Sequence, residues 1–216
     1  MTERPITVTP ETRLSEVAAA MVRGSVRHVP VVRGDTGEGG TPLLVGIVSS
    51  YDVARAHPPE LNPWALTPLP PELDHPVSEV MTAHPFTVEP TAPVERAAAE
   101  LARRKIHALP VVRAERLVGI LTEADVIRAF VVLLGPRQQG VRITFVLEER
   151  EEIFGSVLRL AAQHRVEVAS VVTAHQGGRR IAIVQVVGPR AGHFLDGLWK
   201  AGHRVESVVH DEQLAA

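Results

Sequence analysis

The chain has 216 residues, 45% of them hydrophobic, with a formal net charge of -2 and no cysteine. That is enough apolar material to bury one or two cores, which excludes a disordered chain, and the near-neutral charge gives no electrostatic footprint for nucleic acid. The absence of Cys excludes disulfides, zinc–thiolate sites and thiol catalysis, and it fits a cytoplasmic protein.

Taken in order, the chain opens on MTERPITVTPETR, with charge and proline where a signal peptide needs an apolar run of about 7 to 15 residues. Leu14, Val17, Ala18, Met21 and Val22 then recur at helical spacing and give one buried stripe. Two strands follow, Val29 to Val32 and Leu43 to Val48. The segment between them, GDTGEGGT, lacks the Lys and Ser/Thr of a phosphate loop and precedes a strand, so it reads as a hairpin loop. A helix opens at Ser49. The Pro-dense connector 57–76 cannot hold a regular helix or central strand for long, and Trp64 and Leu66 are its candidate anchors.

A shift of 80 positions lays Pro5 to Arg33 over Pro85 to Arg113 without a gap, and seven extra residues in the first copy then reset the offset. About 19 of 42 aligned positions are identical, the mark of a duplication whose period is too long for a solenoid of about 20 to 50 residues per repeat. Val94, Ala97, Ala98, Leu101 and Ala102 repeat the helical stripe, Leu109 to Arg113 and Leu117 to Leu121 repeat the strands, and a last helix opens at Thr122. Each module is therefore β-α-β-β-α. The Arg103-Arg104-Lys105 run reads as a solvated helix end. Val126 to Leu134, broken by Arg128, is far short of the roughly 20 residues that span a bilayer and reads as a buried helix. The alignment also sets Met1 and Thr2 on Met81 and Thr82. The second copy has a preceding VSEVMT segment with no counterpart in the first, so the expectation is a start inside the natural frame or a protein that does without that segment.

After Gly135-Pro136, a helix stop, the pattern changes. Strands at Val141 to Leu147, Val166 to Thr173, Ile181 to Val187 and Val205 to Val209 alternate with helices at Glu151 to His164 and Ala191 to Lys200, in the order βαββαβ. Glu148, Glu149, Glu151 and Glu152 complement the first helix's dipole. His203 and His210 are expected at the surface.

The chemistry concentrates in LVGIVSSYD, Leu44 to Asp52, and LVGILTEAD, Leu117 to Asp125. Each is a strand, a Gly that lets something approach the backbone, then Ser or Thr three residues ahead of Asp. Ser49/Asp52 and Thr122/Asp125 fit a helix capping box that needs no ligand. The same geometry suits a nucleotide, because a helix start attracts phosphate and a carboxylate accepts from vicinal ribose hydroxyls. Both copies keep the pairs at a strand end while their neighbours differ, which favours the nucleotide. No Walker, Rossmann, GxSxG or HExxH pattern occurs, and the His residues lack metal-ligand spacing, so neither catalytic nor metal residues are assigned. His28 and His107 stand one position out of step between the copies, and are read as partly buried polar residues with ligand contact as the alternative.

The repeated TVxP, helix, PVV and G-I-x-[ST]-x-x-D resembles a pair of CBS domains, a Bateman module, over 1–56 and 77–134. The tail at 141–211 resembles an ACT domain, and the combination is similar to CBS-ACT proteins of the acetoin-utilisation type. The resemblance implies an α+β fold, with two CBS repeats packed as a pair plus a ferredoxin-like domain. It implies a cytoplasmic homodimer without catalytic activity or required cofactor that senses AMP, ADP, ATP or S-adenosylmethionine between the repeats, with an unidentified regulated enzyme as candidate partner and no membrane or nucleic-acid partner. Asp52 and Asp125 would grip the ribose, Ser49 and Thr122 would sit at the phosphates, and Ile47, Val29, Pro30, Ile120, Leu109 and Pro110 would wall the base. Thr82 and Thr87 would join Asp52, and Thr2 and Thr7 the reciprocal pocket. The ACT resemblance implies side-by-side dimerisation and a small amino-acid ligand near the loop from Glu148 to Gly155, where Phe154 replaces the usual Pro. An amino-acid sensor and a ligand-free scaffold are the alternative functions.

Overall fold

The computed structural model describes residues 1–34, 42–57, 62–65, 70–133, 140–148 and 153–210. The remaining parts of GDTGEGGT and of the connector, Leu66, the Gly135-Pro136 stop, and Glu149, Glu151 and Glu152 lie outside them. The chain forms two compact units, Met1–Ile127 and Arg128–Ala216.

The duplication is visible as β1 (Thr2–Glu3), α1 (Leu14–Gly24), β2 (His28–Arg33), β3 (Leu43–Ser49) and α2 (Ser50–Ala56), followed by β4 (Thr82–Ala83), α3 (Val94–Arg104), β5 (Ala108–Arg113), β6 (Arg116–Thr122) and α4 (Glu123–Leu133), which begins in the first unit and ends in the second. Both first helices bury the centre of the expected stripe, Leu14, Val17, Ala18 and Met21 on α1 and Ala97 and Leu101 on α3, but leave Val22 and Ala102 exposed, and both stop by the same device. Ser25 and Lys105 take up left-handed backbone at φ 51° and 55°, and their N–H groups close on carbonyls of the preceding turn. In each repeat a hairpin pairs in one register, Pro30 opposite Ile47 and Pro110 opposite Ile120.

The short strands are exchanged between the repeats. β4 belongs by sequence to the second copy but pairs with β3 of the first, Thr82 opposite Ile47, while β1 of the first copy pairs with β6 of the second, Thr2 opposite Ile120. Each segment then returns to its own repeat, where Val8 bridges Val31 and Val88 bridges Val111. What approaches the glycine backbone is therefore the other copy's leading strand. A Cβ on Gly46 would meet the Met81 sulfur, and one on Gly119 would lie 2.9 Å from the Thr2 carbonyl oxygen.

The end of the connector is also tied to the first repeat. Arg13 provides no side-chain cap for α1, and the Asp74 carboxylate supplies one, accepting from the Ser15 N–H at 3.0 Å and hydroxyl at 2.6 Å. Val77, assigned by sequence to the second repeat, is fully buried in the first repeat's core with Leu14, Val17 and Met21. Trp64 borders a cavity of about 360 Å³ with Met21, Val22 and Val26. Arg104 is less solvated than its basic run implies: it donates to Glu100 at 2.6 Å and lies over the Phe86 ring.

The second unit consists of β7 (Gly140–Leu147), α5 (Ile153–His164), β8 (Glu167–Gln176), β9 (Arg179–Val187), α6 (Ala191–Lys200) and β10 (Arg204–His210). The antiparallel sheet runs β10-β7-β9-β8. Alternate residues of β7, namely Val141, Ile143, Phe145 and Leu147, form one core with Val157 of α5 and Phe194 and Leu198 of α6, as the period-two pattern requires.

Two sequence expectations need correction. The apolar run Val126 to Leu134 was expected to be buried, yet α4 leaves Ile127, Phe130, Val131 and Val132 exposed, with Val132 75% accessible. An apolar run without helical alternation cannot say which of its faces meets a core. His203 is half-buried with its ring edge-on to Phe145, centroids 6.2 Å apart, whereas His210 is exposed. No helix among the described residues is long and apolar enough to cross a membrane.

Candidate functional site

The two hydroxyl–carboxylate pairs stand where a hairpin's second strand becomes a helix. Ser49 has extended backbone, φ -105° and ψ 163°, and closes a capping box on α2. Its N–H and hydroxyl both donate to Asp52 Oδ2, at 2.9 and 2.6 Å, while its oxygen accepts from the Asp52 N–H at 3.2 Å. The second copy has the same bonds. The Thr122 N–H and hydroxyl donate to Asp125 Oδ2 at 2.9 Å each, and Thr122 Oγ1 faces the Asp125 N–H at 3.4 Å.

These bonds restrict what the pairs can do. Each hydroxyl proton is already directed at its own carboxylate, so neither hydroxyl is set to donate to a phosphate. The first N–H of each helix is also engaged, Ser50 with the Arg27 carbonyl and Glu123 with the His107 carbonyl. For Asp52 the capping bonds use Oδ2, while Oδ1 stands 4.0 Å from Arg55 on a side chain 18% accessible. A carboxylate so placed can cap its helix through one oxygen and accept from a ligand hydroxyl through the other.

The other sequence-assigned residues divide by exposure. Val29 and Leu109 face the two cores and are 0% and 1% accessible, so only their backbone could meet a ligand. Pro30, Pro110 and Ile120 are buried and Ile47 is half-buried. Thr82, exposed on β4, lies beside Ile47 and hence on the Asp52 side, whereas Thr87 precedes Val88, whose N–H donates to the Pro110 carbonyl. The segment from Thr82 to Val88 thus crosses from one repeat to the other, as does Thr2 to Val8, and the two crossings have the same register.

Sequence reasoning missed the meeting of His28 and His107. Their offset between copies argued against a paired role, yet the rings face each other with centroids 6.3 Å apart and planes inclined by 41°. His28 is opposite Ser49 in the β2–β3 ladder, and His107 Nδ1 lies 2.8 Å from Glu123 Oε2. Against the partly buried reading, the His107 side chain is 65% accessible. Burial, then the charges of His107 and Arg27, push the His28 imidazole below its ordinary pKa against the opposing pull of Asp52 and Glu123. No cluster of three or more metal-ligating side chains occurs among the described residues.

The family model for the CBS domain matches residues 1–58 and 77–132, more than half of the chain and both hairpin repeats. The chain belongs to the CBS-domain family. The chain is 30% identical over 116 residues to the homoserine O-acetyltransferase of Methanohalobium evestigatum, covering 53% of this chain and 20% of that enzyme. The chain spans only about a fifth of the length of the first curated relatives it matches. Among solved structures, the CBS-pair protein CBSX2 of Arabidopsis thaliana is 30% identical with a TM-score of 0.50, over 61% of this chain and 91% of that one. A structure of CBSX2 in complex with AMP is 30% identical, with a TM-score of 0.49 over 61% of this chain and 92% of that one.

Proposed function

We propose that this CBS pair is a regulatory module without catalytic activity that binds an adenine nucleotide, AMP, ADP, ATP or S-adenosylmethionine, between its repeats. The observation carrying the reading is the twin placement of Asp52 and Asp125 at strand-to-helix junctions, each beside a threonine-bearing strand donated by the other repeat. Adenosine offers what such a place can take: vicinal hydroxyls for a carboxylate and a flat apolar face for the Ile47–Pro30 and Ile120–Pro110 walls. The βαββαβ unit acts as an ACT-like domain for dimerisation or signal output, so that the nucleotide shifts packing in the repeats and the change reaches a regulated enzyme.

The completed capping boxes support a second reading, in which both pairs only terminate helices and the module is a scaffold. Thermal melts with the four nucleotides and a panel of amino acids separate the possibilities. Nucleotide at a hundred times its dissociation constant adds about 2.7 kcal/mol of stability. Silence toward every nucleotide leaves the capping role, and a response to one amino acid alone transfers sensing to the ACT-like unit.

A further inference from the structure

The duplication creates two matching grooves, one along the start of α1 and one along the start of α3, and only the first is filled by described residues. On α1 the His75 carbonyl accepts from the Leu14 N–H at 3.0 Å, the Val77 N–H donates to the Thr12 carbonyl at 2.8 Å, and Asp74 caps Ser15. On α3 the matching N–H groups of Val94 and Glu95 donate to nothing among the described residues, and Pro93 supplies no side-chain cap. The apolar contacts differ in the same way. Each residue of the second repeat's core cluster has a counterpart in the first, but none corresponds to Val77. Val94, Ala98 and Leu121 are half-buried, whereas their counterparts Leu14, Ala18 and Val48 are fully buried. We infer that the groove along α3 is a docking site for an extended basic segment of another protein, bound as the connector's end binds α1. The inference goes beyond the nucleotide reading and does not depend on it.

Charge decides which segment fits. On the α1 rim Arg13 donates to the Asp74 carbonyl at 2.6 Å and the Ser15 hydroxyl to the Asp74 carboxylate at 2.6 Å, so an aspartate is held by a cation and a hydroxyl. At the same places α3 has Pro93 and the exposed Glu95. An aspartate there would meet a like charge, while a lysine or arginine would pair with Glu95. The connector of a second copy would bring Asp74 to Glu95, which disfavours self-association through this groove. The apolar requirement is unchanged: a valine or isoleucine three positions further on, to join the Val94–Leu121 cluster as Val77 joins Leu14 and Val48. Backbone bonds complete the contact, with the Val94 N–H donating and the Ala92 carbonyl accepting as Leu14 and Thr12 do. The segment is short, because Met1 lies against Gly119 as Met81 lies against Gly46 and closes the downstream end.

Fluorescence anisotropy of labelled peptides against the full chain tests this. The probes are the sequence of residues 73–80 carrying Asp74→Lys, the same sequence unchanged, and the Asp74→Lys sequence that also carries Val77→Asp. The Asp74→Lys peptide is expected to bind about tenfold tighter than the unchanged one, and the peptide with Val77→Asp not to bind. In the chain, the exposed Glu95→Gln should remove the preference between the first two peptides and Glu95→Lys should reverse it, while both variants keep the wild-type circular dichroism and any AMP-induced shift of Tm. No binding of the Asp74→Lys peptide, equal binding of the first two, or a preference unchanged by either Glu95 variant would each overturn the inference. A peptide signal that falls as protein concentration rises would assign the groove to a second copy and overturn it as well. Because AMP is read in a separate melt, a chain silent to nucleotides can still show the peptide pattern, so the two readings fail independently.

Discussion

Asp52→Asn separates the two jobs a carboxylate could hold at this junction. The asparagine keeps an oxygen that can accept from the Ser49 N–H, which now donates at 2.9 Å, so the capping box loses about 0.5 kcal/mol or less, whereas Asp52→Ala removes the reciprocal half of the box, leaves the Ser49 oxygen on the residue-52 N–H, and costs about 0.5–1.5 kcal/mol. For the ligand the charge matters more. A hydrogen bond between a hydroxyl and an ionised carboxylate is worth about 1.5–3 kcal/mol, so its loss weakens binding about tenfold or more. With AMP at a hundred times the wild-type dissociation constant, ligand stabilisation falls from about 2.7 to about 1.4 kcal/mol. For a chain of this size that difference is about 3–5 °C in the AMP-induced shift of Tm. The assay is a thermal melt of wild type, Asp52→Asn and Asp52→Ala, each with and without AMP. A near-wild-type Asp52→Asn with a halved AMP shift is the expected pattern. An undiminished shift would refute the ribose assignment and leave Asp52 as a helix cap alone.

Three further outcomes follow from the packing. Gly119→Ala sets a Cβ 2.9 Å from the Thr2 backbone oxygen, whereas at Gly46 the first obstacle is the flexible Met81 thioether, so urea melts should show a loss of about 1–3 kcal/mol for Gly119→Ala and less for Gly46→Ala. Equal losses would mean that the exchanged β1 does not hold its place. Asp74→Ala should cost about 0.5–2 kcal/mol by leaving α1 uncapped, and a chemical-denaturation midpoint unchanged from wild type would show that Asp74 does not act as that cap. The lowered pKa of His28 also sets a sign for pH dependence: the unfolded chain binds the proton more readily, so this contribution is fully present above about pH 6.5 and is lost as pH falls through the folded value. Melts from pH 7.5 to 5 should therefore show wild type losing more stability than His28→Gln, and parallel curves would contradict it.

Local chemistry made most elements readable. The left-handed stops at Ser25 and Lys105 follow stripes with apolar residues three and four apart, and the capping boxes at Ser49 and Thr122 need only a tetrapeptide, because a helix start is satisfied within one turn. The alternation Val141, Ile143, Phe145, Leu147 likewise announced a one-sided strand. The duplication was legible because identical side chains recur at a fixed shift, and with it came the likeness of the two strand-to-helix junctions.

What the chain alone determined, then, is its inventory of elements and the twin acid–hydroxyl pairs, since those depend on neighbours within a few residues. Only the fold decided that Thr2 and Thr82 serve the opposite repeat, that Val77 fills the first core, that Asp74 caps a helix about sixty residues earlier, and that His28 and His107 meet although their positions do not align. Such contacts are set by which surfaces remain to be buried once the hairpins have formed, and no local pattern encodes that choice. The exposed flank of α4 belongs with them: its residues specify a helix, while the solvent each one sees depends on what packs alongside.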